Sequence, residues 1–162
     1  MYIRKATDVD VWYAAAQLTD DDLKECKANY GTTEGLTERL QAHLTSSSVV
    51  LTNAVGEIYA YGGNQGDNVW FLTTRMTERL TPEGKLEFRE RIMEYRDKML
   101  EAYPVLWNYV WEGNASHIRF LKSIGAKFHD DKWTRSPVTG EVFILFTITK
   151  AAEYLAISQK ED

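Results

Sequence analysis

The chain has 162 residues, 44% hydrophobic and 27% charged, with a formal net charge of −5 and a single cysteine, Cys26. That length suits one domain with a sizeable core, expected over residues 1–152 with a frayed tail at 153–162, and is too short for two. The acidic balance repels phosphate backbones, no apolar run approaches the ~20 residues that span a bilayer, MYIRKATD lacks the apolar stretch of a secretory signal, and one cysteine with three scattered histidines offers no metal-ligand spacing. The reading is therefore a soluble, unexported protein with no nucleic-acid, membrane or metal partner.

In chain order, Tyr2 to Ala6 is a short strand, and Asp8 stands as N-cap of a helix carrying Val11, Ala15 and Leu18. A second helix starts at Thr19, where Asp20, Asp21 and Asp22 put negative charge on the first turn; Leu23, Cys26 and Tyr30 form its inward face and Gly31 its stop. Leu36, Leu40 and Leu44 mark a further helical segment before the loop at Ser46 to Ser48. SVVLTNAVGEIYAYGG has two β-rich runs around Asn53 to Gly56, the pattern of a hairpin, and NVWFLTT supplies a third strand.

Thr81 followed by Pro82 starts a long helix that runs to about Ala102 with Phe88, Ile92, Tyr95 and Met99 along one stripe. In residues 75 to 98 seven basic residues alternate with six acidic ones, a solvated face rather than a nucleic-acid patch. VLWNYVW reads as a strand, and Asn114 to Gly125 as a capped amphipathic helix. AKFHDDKW and EVFILFTITK then form two strands around the turn Ser136 to Gly140. Trp107, Tyr109 and Trp111 alternate and so share a face, while Cys26 sits on an apolar helix stripe as a small core residue.

The fold class is α/β (α+β): a mixed, mostly antiparallel sheet with helices on both faces, in the order β-α-α-β-β-β-α-β-α-β-β. That order resembles the GNAT superfamily of acetyl-coenzyme A dependent N-acetyltransferases. The family frame N-x-x-A-x-x-L-Y-x-x-x-G-F is met here by Asn114, His117, Phe120, Leu121, Gly125 and Ala126. Leu121 stands where many relatives place a proton-donating tyrosine, a role worth on the order of 10²–10⁴ in rate. The pyrophosphate loop, R/Q-x-x-G-x-G/A, aligns with Arg79 to Gly84, but Pro82 has no amide hydrogen and Glu83 brings a negative charge to the phosphate position.

The resemblance implies coenzyme contacts at Thr73, Arg79, Gly84, Lys85 and Asn114, and catalytic bases at Asp67 and Glu112 near the strand ends that face acceptor amines. His117 and His129 read as packed or solvated residues. From Gly62 to Lys150, GGNQGDNVWF, the run from FRERIMEYRDKMLEAYP to KFH, and LFTITK are similar to the internal virion protein A family of short-tailed, T7-like podophages. This implies a late phage protein acting in virion assembly or carried in the particle, with virion or host proteins as partners and the bacterial cytoplasm as its location. Two classes stay open: an assembly module with a degenerate acetyl-CoA site, and a working N-acetyltransferase acting on a host protein or small amine.

Overall fold

The computed structural model describes residues 1–150, so the tail at 153–162 lies outside the described residues. Seven strands form one sheet in the order β1-β2-β3-β4-β5-β7-β6, comprising β1 (Tyr2–Lys5), β2 (Val49–Thr52), β3 (Ile58–Gln65), β4 (Asn68–Thr73), β5 (Val105–Trp111), β6 (Lys127–Arg135) and β7 (Val142–Thr149). Every neighbouring pair is antiparallel except β4 with β5. Helices α1 (Asp8–Ala16), α2 (Asp20–Tyr30) and α3 (Leu36–Ala42) pack on one face, and α4 (Pro82–Ala102) and α5 (Ala115–Ser123) on the other. Burial on both sides accounts for the continuous apolar run of β3, Ile58 to Gly63, all of it buried.

Local chemistry sets the element ends. Thr7, not Asp8, caps α1, in a reciprocal box in which Thr7 accepts from the Asp10 amide and Asp10 accepts from the Thr7 amide; Asp8 falls in the first turn. Three helices separate β1 from β2, since the leucine repeat at 36 to 44 does form α3; the order with two helices undercounts by one. A short 3-10 helix, Arg75–Arg79, also precedes α4. Gly31 ends α2 in the left-handed region, and Thr81 caps α4 with Pro82 in its first turn. Tyr30, expected inward, is exposed instead and lies under the Arg39 guanidinium. It is the last residue of α2, so its ring can leave the stripe that Cys26 continues.

On the α4 face, Leu106 and Val110 of β5 join Leu100, Leu121, Ile124, Phe146 and Ile148 in one buried cluster. Arg89 and Arg96 of α4 donate to the carbonyls of Ser123 and Ile124, capping the end of α5 at 2.5 Å each and fixing it beside β5. Leu106 is fully buried at the centre of this cluster. Leu106→Ala should cost about 2–5 kcal/mol, measurable by urea denaturation; a loss below the scatter of surface substitutions would contradict this account of the core.

Candidate functional site

Strands β4 and β5 run parallel but pair only at Asn68 and Trp107, then part. Backbone groups of alternate residues face across the resulting split: Val69, Phe71 and Thr73 from β4, Tyr109 and Trp111 from β5. Side chains bridge it at Val69, Thr73, Tyr109 and Trp111, and Phe71 between them lines the cavity. Asn108 donates from Nδ2 to the Val69 carbonyl (2.7 Å) and accepts from the Tyr109 amide (2.7 Å), bridging the two edges. Glu25 Oε1 accepts from the Trp111 amide at 2.8 Å. Asp22 Oδ2 accepts from both the amide and the hydroxyl of Thr73 (2.7 and 2.8 Å), while its Oδ1 accepts from Asn114 Nδ2 at 3.1 Å.

The segment leading into α2 completes the closure at the top of β4. The Thr19 amide donates to the Thr73 carbonyl (3.0 Å), Leu18 bridges Thr74, and the Arg75 amide donates to the Gln17 carbonyl (2.7 Å). Asp22 lies at the third helical position of α2 and Glu25 one turn on, so both carboxylates reach the split from one helix face. A cavity of about 610 Å³ follows the split, with Glu25, Asn108 and His117 among its lining residues.

His117 completes the cluster. Its ring stacks on Phe71 (centroids 4.7 Å apart, planes at 29°), and its Nδ1 lies 3.7 Å from Asp22 Oδ1, too long for a hydrogen bond but an ion pair when the ring is charged. Burial pushes the His117 ring toward neutrality, but the Asp22 and Glu25 carboxylates outweigh it and hold the ring above the ordinary histidine value. Burial likewise pushes Asp22 up, and His117 with Thr73 outweighs it, leaving Asp22 below the usual aspartate value. Glu25 stays above the usual glutamate value because its burial exceeds what His117 and the Trp111 amide return. Cys26, next in sequence, is buried and pushed up to about 12, first by burial and then by these carboxylates, so it is an unreactive thiol.

The residues proposed as coenzyme ligands are brought to this end of the sheet but turned to other uses. Thr73 and Asn114 both serve Asp22, and Asn114, fully buried, also caps α5 by accepting from the His117 amide. Arg79 is exposed in the 3-10 helix, and Lys85 is exposed with its amide donated to the Thr81 carbonyl. The Gly84 amide goes to Thr81 Oγ1, and a Cβ at Gly84 would sit 3.1 Å from Leu80 Cδ2, so its smallness serves local packing. The amides of Thr74, Arg75, Met76, Thr77 and Leu80 are likewise donated within the chain. A diphosphate needs such amides pointing outward; most in this loop are already donated, Pro82 has none, and Glu83 sets a negative charge beside the rest, so the residues present fit that group poorly.

Asp67 and Glu112 are not brought together. Gly66, at φ 59°, takes the first position of the β3–β4 turn and delivers Asp67 to the Trp107 indole, which donates to Asp67 Oδ1 at 2.9 Å; Glu112 is exposed just past the other end of β5. Leu121 is buried in the core beside Leu106, and His129 shares a 2.8 Å hydrogen bond with the Thr147 hydroxyl on the sheet. The residues that sequence reasoning missed are Asp22, Glu25 and Asn108. Their signal was present: Asp22 shares the inward stripe of Cys26 at a spacing of one helical turn, and a carboxylate on such a stripe needs buried donors.

Residues 48–134 match the family described as "Bacteriophage T7, probable scaffold protein Gp13". The chain belongs to that family. It is 55% identical over 105 residues to the probable scaffold protein gp13 of Escherichia phage T7, covering 65% of this chain and 72% of that protein. The chain is thus tied to a phage scaffold family rather than specifically to internal virion protein A. In fold it resembles a ribosomal-protein-alanine N-acetyltransferase from Brucella melitensis (TM-score 0.63, 16% identity, 92% of this chain and 99% of that one) and a GCN5-related N-acetyltransferase from Kribbella flavida (0.61, 15%, 91% and 96%). It also resembles AAC(6')-Ib, solved with ribostamycin and coenzyme A (0.64, 12%, 94% and 95%). At these identities the likeness establishes a GNAT-like fold. Among the described residues no helix is long and apolar enough to cross a membrane, and no group of three or more His, Cys, Asp or Glu could hold a metal ion.

Two outcomes test the site. Asn108→Leu strands the Val69 carbonyl and Tyr109 amide, and should cost about 1–3 kcal/mol in chemical denaturation; an unchanged midpoint would show that the bridge is idle. For His117 the folded-state pKa is raised, so its contribution is complete below the unfolded value of about 6.5 and is lost as pH rises through the folded value. Denaturant midpoints measured from pH 6 to 9 should therefore fall more steeply in the native chain than in His117→Gln, and parallel curves would refute the ion pair.

Proposed function

We propose that this chain is a phage assembly protein, a scaffold or minor virion component, that keeps the GNAT-like architecture without a working coenzyme site. The observation that supports it best is the bridging of the β4–β5 split by Asp22, Glu25 and Asn108, which occupy strand-edge groups at Thr73, Trp111 and Val69 that an extended ligand would otherwise pair with. Pro82 and Glu83 at the head of α4 act in the same direction, one lacking a donor and the other adding a negative charge. Membership of the scaffold family supports a role in particle assembly; on this reading the chain is made late in infection in the bacterial cytoplasm and passes into or onto the particle with virion proteins as partners.

The second reading, an active acetyl-CoA-dependent N-acetyltransferase acting on a host protein or small amine, draws on one feature of the site. His117 is a protonatable ring beside the cavity and could supply the proton that Leu121 cannot. Fold alone does not carry that activity across. Titration calorimetry with acetyl-CoA should give no heat at millimolar coenzyme; micromolar binding abolished by Arg79→Ala would instead establish the enzyme reading. Mass spectrometry of purified virions and of assembly intermediates should find the protein, and its absence from both would contradict the assembly role.

A further inference from the structure

Helices α1, α2 and α3 shelter β1 to β4 on their side of the sheet, and β5 presents Trp107, Tyr109 and Trp111, each half-exposed, on that same side. Both indoles hold a carboxylate. Trp107 Nε1 donates to Asp67 Oδ1 at 2.9 Å, and Trp111 Nε1 donates to Glu141 Oε2 at 3.1 Å. Asp67 and Glu141 are exposed residues, and among the described residues neither forms an ion pair. Arg135, the basic side chain nearest in sequence to Glu141, instead lies over the Trp133 ring and donates to the Gly140 carbonyl. A carboxylate bonded to an indole N–H pushes electron density into the ring and strengthens the negative face that attracts a cation.

The surface therefore offers two sites of the same kind, each an indole with an unpaired carboxylate at its edge, although one side of the Trp111 ring packs on Gly113, where an added Cβ would overlap it. Trp107 and Trp111 lie four residues apart along the strand, or roughly 13 Å at about 3.3 Å per residue. Tyr109 fills the interval, its ring edge-on to Trp107 at 6.1 Å. A helix advances only about 6 Å in four residues and reaches this spacing on one face only over about eight, lying across rather than along the strand's own repeat. An extended chain reaches it in the same four residues. Both edges of β5 are engaged, by β7 and by β4 with its bridging side chains, so a partner must bind through side chains on the face rather than by adding a strand.

We propose that this stripe docks an extended basic segment of a partner polypeptide, with two Lys or Arg side chains separated by three residues, one over Trp107 beside Asp67 and one over Trp111 beside Glu141. This rests on the assembly reading and names the kind of partner it needs. Nucleic acid is disfavoured by the same two carboxylates.

The probe is a short Ser/Thr peptide carrying two arginines with three residues between them, compared with the same peptide carrying two glutamates. The indole N–H resonances of Trp107 and Trp111 should shift together with the arginine peptide alone. Asp67→Asn with Glu141→Gln, both at exposed positions, should weaken binding by roughly tenfold, and added salt should weaken it in the native chain. Equal shifts with the acidic peptide, shifts at one indole only, or no shift would overturn the proposal. So would concentration-dependent dimerisation that perturbs both indoles without peptide, since the occupant would then be a second copy. In phage lacking the gene, particles built normally would defeat the assembly reading itself, whereas a required gene whose double variant supports full particle yield would defeat the docking inference alone.

Discussion

Two parallel strands that part after one pairing leave amides and carbonyls facing each other over a gap too wide for a ladder, and each such group left unpaired and buried costs about 1–3 kcal/mol. In this chain the gap is spanned by two carboxylates of α2 and one carboxamide of β5. Asp22 is the central member, because it joins the end of β4 to the start of α5, while Glu25 one turn on holds the end of β5. An ionised carboxylate that is 2% exposed survives only with several partners, and Asp22 has three donors, the Thr73 amide and hydroxyl and the Asn114 carboxamide, with the His117 ring as a charge partner at 3.7 Å. The position of α2, the cap of α5 and the closure of the sheet thus depend on one another.

The same bridging draws on groups that the architecture would offer to a ligand. A GNAT-like frame brings strand ends, a helix start and a capping asparagine to one place, and this chain retains all three. What differs is where the polar groups point. Thr73 and Asn114 turn toward Asp22, the loop before α4 coils into a 3-10 helix whose flanking amides bond within the chain, and Pro82 removes one donor outright. A fold can keep its packing while its donors are redirected, since packing depends on apolar volume and a phosphate grip on the direction of a few N–H groups.

The elements were readable where a local rule fixes them: the Thr81–Pro82 start of α4, the left-handed Gly31, the hairpin around Asn53, and VLWNYVW, which is β5 residue for residue. Errors came where two local rules competed. Asp8 and Thr7 both suit a cap, and the acid at Asp10 decides for Thr7 by closing the box. The three aspartates opening α2 satisfied the helix dipole as a group, which concealed that Asp22 alone turns inward while Asp20 pairs with Arg75 at the surface. Nothing local marks that difference, because its donors lie far along the chain at Thr73 and Asn114. Asn108 was hidden in the same way among aromatic neighbours on its strand.

The bridged split and the open aromatic stripe are two consequences of where α2 stops. By reaching β5 only at its far end, through Glu25 and the Trp111 amide, α2 fixes the strand without covering it. Trp107 and Tyr109 therefore stand on a strand held along one edge by β7 and along the other by Asn108, Glu25 and the single pairing with β4. Rings on so constrained a backbone lose little conformational freedom when a partner arrives, and preorganisation of that kind raises affinity without new contacts. A mobile coenzyme cleft between β4 and β5 would loosen that support. On the proposed assembly reading, the α2 side chains that bridge the split also steady this face, so the fate of the coenzyme site and the docking surface rest on the same contacts.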